Sequence, residues 1–253
     1  MSVLESTSAA GVVTLRMVDT ERRNALSAAM LRELAAAIDA AEADATSRVV
    51  VLTNAGNTFC AGADLRERVD GQVAPRLDEL FMRIAASRLV FVGRVDGHCV
   101  AGGVGLAAAL DISIVREDVT FGFSEVRLGL APAIISVVCL AKMRDADARN
   151  VMLRGNRFDA AEAARIGLVT SAVPASEIDA RVGAIVDDLL LGEPQALAET
   201  KELLRRVPRL DVDHAFRYAS EVSARLFASE AAREGMSAFL EKRPARWATP
   251  DNH

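Results

Sequence analysis

In the N-terminal part of the chain, short unbroken apolar runs alternate with a stretch in which apolar residues recur every three or four positions. The run "GVVTLRMV", Gly11 to Val18, is rich in β-branched residues and predicts a strand, and "ERRN", Glu21 to Asn24, predicts the turn after it. Ser27 then stands where a hydroxyl can cap a helix, and Met30, Leu31, Leu34, Ile38 and Ala41 repeat at helical spacing behind it. The next run, "RVVVLT" from Arg48 to Thr53, has no polar alternation, as expected of a parallel strand covered on both faces. Strand, helix and strand make a βαβ unit.

A loop "NAGNTFCAGADLRE", Asn54 to Glu67, comes next, followed by a helical segment from about Pro75 to Leu89 and a strand through "VFVGRVDG". The glycine-rich stretch "CVAGGVGLAAALDI", Cys99 to Ile112, precedes a strand "DISIV", Asp111 to Val115, so its helix has room for about two turns between Gly102 and Leu110. From Pro132 onward the pattern is mostly helical, with "AVP" at Ala172 to Pro174 closing a last strand and Pro194 marking a break. This asymmetry predicts an α/β core over residues 1–192 and a helical region over 193–253, without internal repeats or a low-complexity linker.

Composition narrows the picture. Of 253 residues, 51% are hydrophobic but only 4% aromatic, so an ample core must be built from Ala, Val, Leu and Ile. The formal net charge of −5 argues against general nucleic-acid binding. Cys60, Cys99 and Cys139 are too far apart for a CxxC pair and lie in apolar surroundings, which predicts reduced, buried thiols. "MSVLESTSAAG" shows neither a basic nor an apolar leader region, and the apolar run Ala131 to Ala141 is far short of the ~20 residues of a membrane span. A cytoplasmic enzyme or binding protein, away from membranes, is expected.

Two loops that follow strands offer bare backbone N–H groups: "CAGAD", Cys60 to Asp64, and "AGGVG", Ala101 to Gly105. Two amide donors suffice to stabilise an oxygen anion, and a helix start behind one of them adds favourable potential, which singles out Ala63 and Gly102. The plainer alternative is that the glycines only permit tight turns and close packing. Gly103, Gly105 and Ala108 also satisfy a dinucleotide-type G-x-G-x-x-A pattern with Glu125 downstream, but that pattern needs a longer crossover helix than fits here.

Glu125 lies in "FGFSEVRLGLAP", apolar on both sides, where partial desolvation would raise its pKa into the range of a general acid/base. Pairing with Arg127 is the structural alternative. His98, His214 and His253 show no metal-ligand spacing, so no metal is expected, and His98 reads as a structural histidine beside the glycine loop. The runs "KELLRRVPR" and "EKRPAR" are solvated helix faces, or, at Lys242 and Arg243, phosphate contacts.

Taken in order, "NAL" at Asn24 to Leu26, "FCAGADLRE", "VDGHCVAGGVGLAAALDI", "FSEVRLGLAP", "FDAAEAARIGLV" and "EGMSAFLEKRPARW" resemble the crotonase, or enoyl-CoA hydratase/isomerase, superfamily over essentially the whole chain. The resemblance implies an α/β spiral of ββα units, a C-terminal helical region that trimerises, commonly as a dimer of trimers, and an acyl-CoA thioester substrate. It implies no cofactor beyond the coenzyme A that arrives with the substrate. By position it assigns the oxyanion donors to Ala63 and Gly102. It assigns CoA contacts to Arg23, Ala25, Leu26, Ala61, Gly62, Asp64, Leu65 and Gly103, with Lys242 reaching the nucleotide.

Many hydratases of the family carry two catalytic glutamates. Glu125 matches the second, whereas Gly105 stands at the position of the first. The segment "SEVRLGLAPAIIS" is similar to the branch that includes methylglutaconyl-CoA hydratases, some expected to share a small residue there. The leading expectation is hydration of an enoyl-CoA with Glu125 as acid/base. The alternatives are double-bond isomerisation by the single Glu125, other acyl-CoA chemistry such as thioester hydrolysis, and a non-catalytic acyl-CoA-binding protein. The acyl pocket is expected to draw on the helix between Pro75 and Leu89 and on Ile134 and Ile135.

Overall fold

The computed structural model describes residues 2–69 and 76–248. Pro75 and His253 lie outside the described residues. An N-terminal hairpin, β1 (Leu4–Ala9) and β2 (Val12–Met17), leads into α1 (Ala28–Ala43), whose Ser27 hydroxyl accepts the Met30 N–H at 3.2 Å. Met30, Leu31, Leu34, Ile38 and Ala41 are the buried residues of α1, as their spacing predicts. β3 (Val49–Asn54), β4 (Thr58–Cys60), α2 (Leu65–Val69), α3 (Leu77–Ala86), β5 (Val90–Val95), β6 (His98–Val100), α4 (Gly102–Ala109), β7 (Ile112–Arg116) and β8 (Thr120–Gly122) follow. A 3-10 turn (Glu125–Leu128), α5 (Ala133–Cys139), α6 (Asp145–Arg154), β9 (Arg157–Asp159), α7 (Ala160–Arg165) and β10 (Ser171–Val173) complete the α/β part. Helices α8 (Ile178–Leu190), α9 (Pro194–Arg206), α10 (Val212–Phe227) and α11 (Glu230–Leu240) follow, and a 3-10 turn (Arg246–Ala248) ends the described chain.

The strands form two sheets. The larger has the order β1-β2-β3-β5-β7-β10 and the smaller β4-β6-β8-β9. Three times in succession a strand of the large sheet is followed by one of the small sheet and then by helix: β3/β4, β5/β6 and β7/β8. This is the ββα spiral. The small sheet is absent from the pattern-based expectation, where β4 falls inside the loop Asn54 to Glu67, because a three-residue strand is too short to show an alternation.

Every residue of β3 is buried, and the reason is two-sided packing. Val50 and Leu52 face the main core with α1, α3 and α4, while Val49 and Val51 face a second cluster with Ile178 and Val182 of α8. The unbroken apolar run thus reflects a strand with no solvent face.

Glu193 caps α9 by accepting the Ala196 N–H, with Pro194 in its first turn, where a missing N–H costs nothing. Lys201 then anchors α9 to the core. Its buried ammonium donates to Ile84 O at 2.9 Å and Leu89 O at 2.8 Å, pairs with Asp111 Oδ2 at 2.8 Å, and sits over the Phe91 ring. Three donors meet three acceptors. Replacing Lys201 by Met is expected to cost about 3 kcal/mol, because two inward carbonyls and a carboxylate lose a charged donor. Equilibrium unfolding in urea measures this, and an unchanged midpoint would contradict the anchoring role.

Candidate active site

β4, β6 and β8 lie side by side and parallel in the small sheet, so their carboxyl ends open on the same edge. Beyond β4 comes the loop Ala61–Asp64, beyond β6 the turn into α4, and beyond β8 the 3-10 turn that begins at Glu125. Carboxyl ends of adjacent parallel strands are where α/β folds gather ligands.

The turn between β6 and α4 is strained. Ala101, the N-cap of α4, has φ 48° and ψ −118°, outside the regions an L-residue ordinarily occupies, and its N–H is held by Gly122 O at 2.9 Å. Among the described residues neither the Gly102 nor the Ala63 N–H has an acceptor.

The two amides are neighbours. A Cβ on Gly102 would stand 3.6 Å from Ala63 N and 3.2 Å from Gly62 Cα, and a Cβ on Gly62 would stand 2.9 Å from Gly102 N. Gly62 has φ +87°, so both space and backbone require glycine there. The Ala63 loop is pinned from the other side, where Leu26 N–H donates to Gly62 O at 2.7 Å and Ala61 N–H donates to Arg23 O at 3.1 Å.

Arg23 is exposed with φ +53°, Ala25 and Leu26 are buried, and Leu65 is half exposed. Asp64 accepts the Arg66 N–H at the start of α2 and lies 3.3 Å from Arg22 Nη1. Glu67 accepts the Ala28 N–H at 2.8 Å, a carboxylate at the positive end of α1. Arg22 and Glu67, absent from the sequence-based set, tie the turn Arg22–Leu26 to the loop Ala61–Asp64. Their long-range pairing has no local signature. Gly103 is a packing position, since a Cβ there would fall 2.0 Å from Cys60 O. Lys242 lies apart from this cluster in sequence, exposed at the end of α11 with φ +54°.

Glu125 is partly buried, and its Oε2 is shielded from solvent without a hydrogen-bond partner. Burial is the main cause that raises its pKa above the ordinary glutamate range. Among the described residues no ion pair joins it to Arg127. His98 Nδ1 accepts the Thr120 N–H at 3.0 Å, so this histidine links β6 to β8. All three thiols are buried, and desolvation pushes Cys60 and Cys139 up to about 12. Among the described residues no cluster of three or more His, Cys, Asp or Glu is arranged to hold a metal, and no helix is long and apolar enough to cross a membrane.

An α/β spiral that carries two unpaired amides and a desolvated carboxylate at one sheet edge offers donors for a negative oxygen and a group that can exchange a proton. The model of the enoyl-CoA hydratase/isomerase family matches residues 7–250, and the chain is an enzyme of that family. A Thermus thermophilus protein named as an enoyl-CoA hydratase is 36% identical over 245 residues, covering 93% of this chain and 97% of the relative. The short-chain-enoyl-CoA hydratase of Clostridium acetobutylicum is 30% identical over 95% of each chain. The crystal structure of a Shewanella pealeana enoyl-CoA hydratase superposes with a TM-score of 0.90 at 29% identity, covering 97% of this chain and 96% of that one.

The raised pKa of Glu125 has a stability consequence. The folded chain holds this proton more tightly than the unfolded chain, so stability falls as pH rises from the unfolded value through the folded one. Glu125→Gln is therefore expected to raise the melting temperature at neutral pH and to leave it unchanged below the ordinary carboxylate range. Equal shifts at both pH values would contradict the desolvation.

Proposed function

We propose that the protein adds water across the C2=C3 double bond of an enoyl-CoA thioester. The observation that supports this reading is the placement of the adjacent Ala63 and Gly102 amides and of the turn bearing Glu125 beyond the carboxyl ends of the neighbouring parallel strands β4, β6 and β8. The thioester oxygen accepts from both N–H groups, which draws electrons from C3. Glu125 takes a proton from water as the water oxygen bonds to C3, and the C2=C3 electrons pass into the thioester enolate. The protonated Glu125 then returns the proton to C2, so one water is added and the enzyme is regenerated.

In this reading coenzyme A enters as part of the substrate, held by Arg23 to Leu26 and Ala61 to Leu65, with Lys242 toward the nucleotide. The named activities of relatives, including 2,3-dehydroadipyl-CoA hydratase in Escherichia coli, favour hydration. A second reading, movement of the double bond by the one carboxylate, is favoured by the glycine at position 105. The region from residue 193 onward is proposed to join subunits into a trimer or a dimer of trimers. Val212, Phe216 and Phe227 on α10 and Phe239 and Leu240 on α11 are all exposed, and large apolar side chains left uncovered on neighbouring helices are the kind of surface that subunits bury.

Mass spectrometry of crotonyl-CoA, a 3-enoyl-CoA and methylglutaconyl-CoA after incubation with the protein tests the reading. A gain of one water is expected, reduced ~10²-fold or more in Glu125→Gln. Unchanged mass with an altered chromatographic position would mean isomerisation instead. Gly102→Pro removes one amide donor at the first position of α4, and in the folded protein is expected to lower kcat/KM by a factor equivalent to about 3 kcal/mol. Full activity in the folded Gly102→Pro protein would remove that donor from the mechanism.

A further inference from the structure

Positions three apart on a helix share a face, so residue 105 of α4 lies one step along from the Gly102 amide. That step is blocked. A Cβ on Gly105 would lie 2.4 Å from Ile135 Cγ2, 2.7 Å from Ile135 Cβ and 3.2 Å from Phe81 Cζ. Ile135 and Phe81 are 3% and 5% exposed, so neither side chain has open solvent to retreat into. Packing this dense does not admit an added carbon without displacement.

Ile135 is also linked to Glu125 through its helix. Its helix, α5, follows directly on the turn that carries the carboxylate. Cys139, one helical turn beyond Ile135, is close enough for the charge of Glu125 to act on its thiol. The same short helix thus seals the face of α4 at Gly105 and borders the acid.

We propose that Ile135 sets the reaction specificity of this site: seated on Gly105, it fills the place from which a second proton-exchanging side chain would reach the acyl group, leaving Glu125 as the sole acid/base. The proposal rests on the acyl-CoA reading above. With one carboxylate, each proton taken up must be released by the same group, which limits the site to reactions that take and return a proton in turn.

The test is a paired substitution. Ile135→Ala would keep the Cβ that lies 2.7 Å from the position in question, so the complement must be Ile135→Gly. Gly105→Glu alone is expected to lower the melting temperature and to reduce hydration of crotonyl-CoA at least tenfold. Adding Ile135→Gly is expected to recover at least tenfold of that loss and to introduce a second ionisation into the pH–rate profile, absent from the wild type. A Gly105→Glu protein with wild-type melting that already shows the second ionisation would overturn the proposal, as would a pair that recovers nothing.

If Gly105→Glu does not fold, Gly105→Ala with and without Ile135→Gly carries the same test by melting temperature. Destabilisation by Gly105→Ala that Ile135→Gly relieves supports the proposal, and strictly additive losses overturn it. A wild-type protein inert toward every enoyl-CoA would sink the functional reading instead. The melting-temperature coupling would still decide whether Ile135 holds the place in front of Gly105.

Discussion

The backbone at Ala101 is the constraint on which the candidate site depends. A strand that ran into α4 through an ordinary turn would not need a non-glycine residue at positive φ. At φ 48° and ψ −118° the chain instead turns abruptly and leaves the Gly102 amide beside the Ala63 amide. Conformations of this kind cost on the order of 1–3 kcal/mol each and persist only where the surroundings hold them. Here the hold comes from the Ala101 N–H on Gly122 O and from the apolar burial of α4, whose residues Gly102 to Ala108 are all buried.

Each glycine of the site meets a different demand. Gly62 provides a positive φ and clearance for the neighbouring amide, Gly103 lets α4 rest on the Cys60 carbonyl, and Gly105 receives Ile135. The helix therefore lies close against β4, with its N-terminus beside the Ala63 loop. Strand order serves the same end. β4, β6 and β8 are adjacent and parallel, so the three loops beyond their carboxyl ends emerge side by side.

Much of the large sheet was legible in the sequence because its elements obey simple periods. α1 shows its buried face at helical spacing from Met30 to Ala41, and β3 shows two-sided burial as an unbroken apolar run. The small sheet was not legible, because a strand as short as Thr58–Cys60 carries no period and is stabilised by neighbours far away in sequence. The site was partly legible. Bare glycine loops after strands pointed to Ala63 and Gly102, and apolar flanks pointed to the desolvation of Glu125. The links from Arg22 to Asp64 and from Glu67 to the start of α1, and the contact of Ile135 with Gly105, arise only on folding.

The central claim is that two backbone amides polarise a thioester carbonyl beside Glu125. Isotope-edited infrared difference spectroscopy of a bound acyl-CoA, labelled with carbon-13 at the thioester carbonyl, reads that polarisation directly. The account predicts a carbonyl stretch at lower wavenumber than for the same thioester in water, because two fixed donors in a desolvated site withdraw more electron density than mobile solvent. A bound carbonyl at or above its frequency in water would contradict it.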